Sequence, residues 1–346
     1  MRRISTWWQR FWFEPQPTSS LAILRIVMGA LVFAWALSLV PDFRTFFSSH
    51  GIEPIPPVHE PLGVWGVLNS APAYGVALGL FGVLVVASLA LMVGYRTRLA
   101  SVLVFVAVVS FEHRAPSIWN SGDGLLRIVC FFLMFAPAGE ALSVDRWRRA
   151  RDRFWEFPAR APWALRLIQI QVSVVYLSAV WFKLHGPDWL HGTAVSYSMR
   201  LQDFQRFVLP GAISHSVLVS NIATYLTMAT ELMIAVLVWN RAARPLVLML
   251  GVVLHTSIGV NLELGFFSEV MLACYLAFLS PVWAARHLLV GRDRLGAWHR
   301  RLRSGRQPVP DPSAHSVVST SGPNCSLCTY SAAPQVRASA GRSSAS

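Results

Sequence analysis

Residues 73–94 read AYGVALGLFGVLVVASLALMVG, twenty-two positions without a charged side chain. As a helix this run rises about 33 Å, enough to cross the roughly 30 Å of bilayer hydrocarbon. Runs of similar character recur at 21–40, 99–115, 123–139, 163–183, 221–239, 245–262 and 266–283, giving about eight spans. The run at 99–115 is the weakest, because Glu112, His113 and Arg114 crowd its far end. Over 346 residues, 54% are hydrophobic and only 14% charged, a balance that excludes an ordinary soluble domain. The expected fold class is all-α, a polytopic transmembrane helical bundle.

The basic residues orient the bundle. With both termini cytoplasmic, the inside segments hold three arginines before the first span, two at Arg96 and Arg98, and six in the 140–162 loop. Arg241 and Arg244 follow, with nine more beyond residue 283, so that 22 lie inside against 5 outside. That asymmetry implies multi-pass insertion in the plasma (inner) membrane with N- and C-termini inside. The net charge of +13 does not imply nucleic acid, since the arginines are spread over loops rather than gathered on one soluble face. The partner implied first is the lipid bilayer. Residues 1–18, with Trp7, Trp8, Phe11, Trp12 and Phe13 among arginines, read as an interfacial segment. Residues 19–290 form the membrane domain, and 291–346 a basic, mostly disordered cytoplasmic tail. A lone Cys325-x-x-Cys328 in that tail lacks the second pair that a zinc site needs, so no metal is expected.

Of the 30 basic residues only Lys183 is lysine. A lysine can lose its proton when desolvated and act as a base, which arginine cannot. Gln169, Ser173, Tyr176, Val180 and Lys183 recur at steps of four and three, so they share one helix face, and that face must meet protein or water rather than lipid. Tyr176 is then expected to line an apolar cleft. Gly251, His255, Gly259 and Glu263 form a second stripe, in which His255 is either a hydrogen-bonded core residue or a proton relay near the lysine. Asp123 and Arg127, spaced i to i+4, are expected to pair on one helix face. Arg25, close to the cytoplasmic end of the first span, is expected to snorkel to the headgroups.

The segment Val175-Tyr176-Leu177-Ser178-Ala179-Val180-Trp181-Phe182-Lys183-Leu184, followed by Pro187-Asp188-Trp189-Leu190-His191-Gly192, resembles the horizontally transferred transmembrane domain family. The likeness extends to Leu24-Arg25, Asn120 with Asp123-Gly124-Leu125-Leu126, Phe135-Ala136-Pro137-Ala138-Gly139, Leu142-Ser143-Val144-Asp145 and Phe267-Ser268-Glu269. That family includes the membrane part of vitamin K-dependent γ-carboxylases, so the resemblance implies carboxylase/epoxidase-like chemistry with a reduced, vitamin K-like quinone as cofactor. Lys183 would be the catalytic base, His255 would assist it, and Tyr176, Asp188 and Trp189 would hold substrate. The chain departs from the carboxylases at Phe182, where they carry a second lysine, and at Ser117-Ile118, where they carry Asn-His. About sixty residues follow the last span, where the carboxylases continue into a domain that binds protein substrate. The expectation is therefore a base acting on a lipid-soluble quinol or an exported peptide. The alternative is a non-enzymatic maturation factor for a secreted peptide, as some bacterial relatives are tied to peptide-toxin maturation. A transporter lacks support, for the halves show no inverted repeat.

Overall fold

The computed structural model describes residues 2–48, 51–52, 65–70 and 73–304. His50, His59, Cys325 and Cys328 lie outside the described residues. The chain folds as an α-helical bundle. Its main helices are α1 (Arg2–Phe13), α2 (Ser19–Ser38), α3 (Tyr74–Val93), α4 (Thr97–Arg114), α5 (Ser121–Phe135), α6 (Trp163–Lys183), α7 (Val217–Leu237), α8 (Arg244–Asn261), α9 (Phe267–Tyr275) and α10 (Pro281–Ser304). A two-residue antiparallel pairing joins Gln16–Pro17 to Ala159–Arg160.

Five of these, α2, α3, α6, α7 and α8, are long and apolar enough to cross a membrane. A sixth crossing arises if Phe267–Phe278 and Pro281–Arg294 are counted together, although they meet at a bend of 100°. The expected span at 266–283 is thus not one continuous helix. Ser280 precedes Pro281, and the residue before a proline is pushed out of the helical region. The expected span at 123–139 also stops early, with α5 ending at Phe135 and Ala136 extended ahead of Pro137.

Successive helices pack on one another from α2 through α9, and α9 closes the round by touching α2, α5, α6 and α8. Only nine residues long, α9 is the core of the bundle, with Val270, Met271, Ala273, Cys274 and Tyr275 buried. By contrast, α3 leaves Leu78, Val83, Val86 and Val93 exposed, as a helix facing hydrocarbon would. α1 lays Phe11 against Trp239, and Arg166 of α6 stacks over Phe11 at 4.9 Å. Trp7, Trp8 and Phe13 remain exposed.

The corner between α3 and α4 is tied by polar groups. Gly94 takes φ of 75° at the end of α3, and a side chain there would also strike the Arg25 guanidinium. Arg25 does not snorkel. It is fully buried, donating from Nη2 to the Leu142 carbonyl at 2.7 Å, because the 139–145 loop folds over it before it can reach a headgroup. In the same loop Asp145 accepts from the Arg96 and Thr97 backbone N–H groups and the Thr97 hydroxyl, each at 2.8 Å, and so caps α4 from across the loop.

Partial burial pushes the Asp145 carboxyl up, but the Thr97 and Arg96 donors, with Arg149, outweigh it and hold the group below its ordinary value. The stabilisation is complete above the unfolded carboxylate value of about 3.9 and is lost as pH falls through the lower folded value. Asp145→Ala should cost about 1–2 kcal/mol at neutral pH, the range for a lost helix cap. Melting curves of the two proteins should begin to approach each other below about pH 4 and meet only once pH is under the lowered folded value; a gap that does not narrow as pH falls from about 4 would mean the residue acts by packing.

Candidate functional site

The polar stripe of α6 turns wholly toward protein. Gln169, Ser173, Tyr176 and Val180 are all buried. Each polar member has a partner on another element or one turn away. Arg166 donates to Gln169 Oε1 at 2.9 Å, Gln169 Nε2 donates to the Ala277 carbonyl at 2.6 Å, and Trp239 Nε1 donates to Ser173 Oγ at 2.9 Å. Two turns short of the helix end, the Tyr176 hydroxyl meets His255 Nε2 at 2.6 Å and also bonds the Tyr275 hydroxyl. At the end itself, Lys183 Nζ contacts Glu231 Oε1 of α7.

Lys183 keeps 18% of its side chain exposed and Glu231 9%, so both charges are largely removed from solvent. The Lys183 ammonium lies 4.7 Å from the centre of the Trp189 ring, a cation–π geometry. Trp189 is carried there by the turn Gly186-Pro187-Asp188-Trp189, where Pro187 opens a short helix. Two buried polar atoms in these groups find no hydrogen-bond partner among the described residues, Glu231 Oε2 and His255 Nδ1.

Sequence reasoning anticipated part of this grouping. Tyr176 and His255 meet in one hydrogen-bonded group with Tyr275, while Lys183 pairs with Glu231 and lies against Trp189, with no direct contact between the two groups among the described residues. Asp188 joins neither. Its side chain is exposed and its part is a backbone carbonyl that accepts from the Thr193 N–H at 2.8 Å. Tyr176 lines no cleft, being 1% exposed with its hydroxyl bonded on two sides. Cavities of about 300 and 480 Å³ open elsewhere, beside Asp123 and beside Asp145.

The expected Asp123–Arg127 pair is not formed. Asp123 occupies the third position of α5, where its carboxylate turns back to accept from the Asn120 N–H at 2.9 Å in a capping box. Arg127 instead reaches α4, with Nη1 2.9 Å from Glu112 Oε2 and 3.1 Å from His113 Nε2. Because that guanidinium can only donate, His113 carries its proton on Nδ1, which donates to the Trp65 carbonyl at 2.7 Å.

Glu231 and Tyr275 are the members that sequence reasoning missed. Glu231 had a signal, as the one acidic or basic residue in α7, and an ionisable group within a span asks for a partner. Tyr275 had none. Cys130 and Cys274 are both buried and free. Among the described residues no group of three or more His, Cys, Asp or Glu is gathered for a metal.

A helical membrane bundle with a largely buried lysine–glutamate contact at the end of one span is the class that fold and site define. The chain belongs to the HTTM domain family, whose pattern it matches over residues 13–283. It is also 22% identical over 199 residues to sporulation-delaying protein SdpB of Bacillus subtilis (strain 168), covering 55% of this chain and 60% of that protein. No solved structure matches it.

Proposed function

We propose that this HTTM protein is a membrane-embedded enzyme of the carboxylase-like type, in which Lys183 is the base and Glu231 its proton partner. The observation that carries the reading is the Lys183–Glu231 contact with Glu231 Oε2 left unpartnered beside it. In this reading the bundle makes about eight crossings of the plasma membrane with both termini cytoplasmic, supported by the 22-to-5 distribution of basic residues. Residues 1–18 lie at the interface, 19–290 form the domain, and 291–346 are a cytoplasmic tail. Lys183 then stands at the extracytoplasmic boundary.

The chemistry follows from the contact. A proton passed from Lys183 Nζ to Glu231 Oε1 leaves a neutral amine, which takes a proton from a substrate hydroxyl and returns to the ammonium form. Trp189 steadies that ammonium by its ring face. Tyr176, Tyr275 and His255 fix the wall below, so His255 orients through Tyr176 rather than touching the lysine. Glu231 Oε2, buried and able only to accept from a donor, fits a hydroxyl-bearing ligand such as a reduced quinone. Glu231 and Lys183 would hold it, and when bound it supplies the acidic hydroxyl. An exported peptide presenting a hydroxyl is the other substrate that this site would accept.

A second reading is favoured by the same contact. A lysine already neutralised by Glu231 could clamp α6 to α7 without chemistry, in a non-enzymatic partner for an exported peptide, akin to a maturation factor. Lys183→Arg separates the two. Arginine keeps the charge and the pairing but stays protonated. Oxidation of a reduced naphthoquinone by added dioxygen in proteoliposomes, in which the base supplies the deprotonated quinol and dioxygen takes the electrons, or processing of an exported peptide, should fall about 100-fold or more if Lys183 is the base. Unchanged turnover by a folded Lys183→Arg protein would sink the enzymatic reading.

A further inference from the structure

The cavity of about 300 Å³ beside Asp123 is not part of the Lys183 cluster. Its walls are the aromatic side chains Trp35, Phe46, Phe47 and Phe266, and its ionisable groups are Asp42 and Asp123. Among the described residues, no lysine, arginine or histidine lines it. That sign is unexpected in a chain with 30 basic and 17 acidic residues.

The countercharges that the sequence places nearby are committed elsewhere. Arg127, one turn from Asp123, is bound to Glu112 and His113 and lies over the Trp119 ring at 6.0 Å. Arg44, two residues from Asp42, is turned over the Tyr74 ring at 6.0 Å. Asp123 is 4% exposed, and its capping role in α5 holds it in place. A carboxylate so buried costs free energy unless something offsets its charge; the Asn120 N–H, a hydrogen bond from the Trp35 side chain and the helix N-terminus satisfy its oxygens, but none of them carries a full positive charge. Asp42 is exposed, which gives the cavity a rim that water can reach.

One buried and one exposed carboxylate lining a cavity together with four aromatic side chains make the chemistry that recognises an organic cation. The charge is neutralised by the acids, and the remaining faces of the ammonium are covered by rings. The volume, at the lower end of the range for ligand pockets, has room for an ammonium group with its alkyl chain.

We propose that this cavity binds an alkylammonium group, whether the lysine side chain of a peptide or a free primary amine. The site stands at the same end of the bundle as Lys183, since Ser38, Asn120 and Gly265 adjoin the α2 C-terminus, the α5 N-terminus and the α8–α9 turn. It does not depend on Lys183 being a base.

The test uses the full chain in detergent, with n-butylammonium chloride as the probe and thermal unfolding as the readout. Butylammonium should raise the melting temperature, while n-butanol, of similar shape but uncharged, and sodium chloride at equal ionic strength should not. Asp42→Asn, at an exposed position that leaves the fold intact, should weaken the apparent affinity about tenfold. Asp123→Asn should abolish the response, and because it can still accept the Asn120 N–H it retains the cap. A tetrapeptide with one lysine that binds more tightly than butylammonium, and loses binding on Nε-acetylation, would assign the site to peptides. Equal affinity would assign it to free amines. Equal stabilisation by butanol or by sodium chloride, or a full response in both Asp→Asn proteins, would overturn the proposal.

Discussion

Lys183→Met is expected to destabilise the protein by about 3 kcal/mol, because it leaves the Glu231 carboxylate buried without its counterion. The figure is at the low end for a broken buried pair, since Lys183 keeps some exposure and the pair is not wholly desolvated. Glu231→Leu should cost a similar amount by stranding the ammonium, which would retain only the Trp189 ring. The double substitution Lys183→Met with Glu231→Leu should return to within about 1 kcal/mol of the parent, as a well-packed apolar pair replaces an ion pair at little cost. Unfolding in mixed micelles gives all four corners of the cycle. Additive losses would mean that the two side chains do not act on each other, and the proton-transfer reading would lose its partner. Lys183→Arg should lie close to the parent on this scale, which is what makes its functional readout interpretable.

This cycle rests on a residue that the sequence flagged but did not pair. A stripe of polar residues on α6 can be read from spacing alone, because helical periodicity fixes which side chains share a face. Which helix meets that face cannot be read this way. Glu231 is the one charge in α7, yet its meeting with Lys183 depends on the rotation of two helices that are distant in sequence. Tyr275 carried less warning still, as an amphipathic ring in an apolar run. The Asp123–Arg127 expectation failed for a physical reason, since a carboxylate at the third position of a helix has backbone N–H groups to satisfy before it reaches along the helix. The break before Pro281 was legible, as Ser280-Pro281 is a helix-stopping dipeptide, but uniform hydropathy across 266–283 hid it. Hydropathy locates apolar segments well. It does not register backbone direction.

Gly251→Ala should cost about 3 kcal/mol, although an alanine usually favours a helix. Gly251 lies one turn before His255 on α8, at the place where α8 presses on Tyr275. A Cβ there would run into the Tyr275 hydroxyl, with the ring carbon Cζ at 2.7 Å and Ile234 Cδ1 at 2.9 Å. Tyr275 cannot swing aside without giving up its bond to Tyr176, which in turn positions His255. Overpacking of this kind costs about 1–3 kcal/mol, and the lost hydrogen bond moves the value to the top of that range. Gly75→Ala is the matched control, for a Cβ at Gly75 meets nothing within 4 Å. That substitution should be neutral or stabilise by up to about 1 kcal/mol through helix propensity alone. Combining Gly251→Ala with Tyr275→Leu should be less costly than the sum of the two by about 1–2 kcal/mol, because the smaller side chain clears the space that the methyl needs. Thermal unfolding of the four proteins decides the matter. If Gly251→Ala behaves like Gly75→Ala, the close approach of α8 to α9 is absent, and the Tyr176–Tyr275–His255 network would need another geometry.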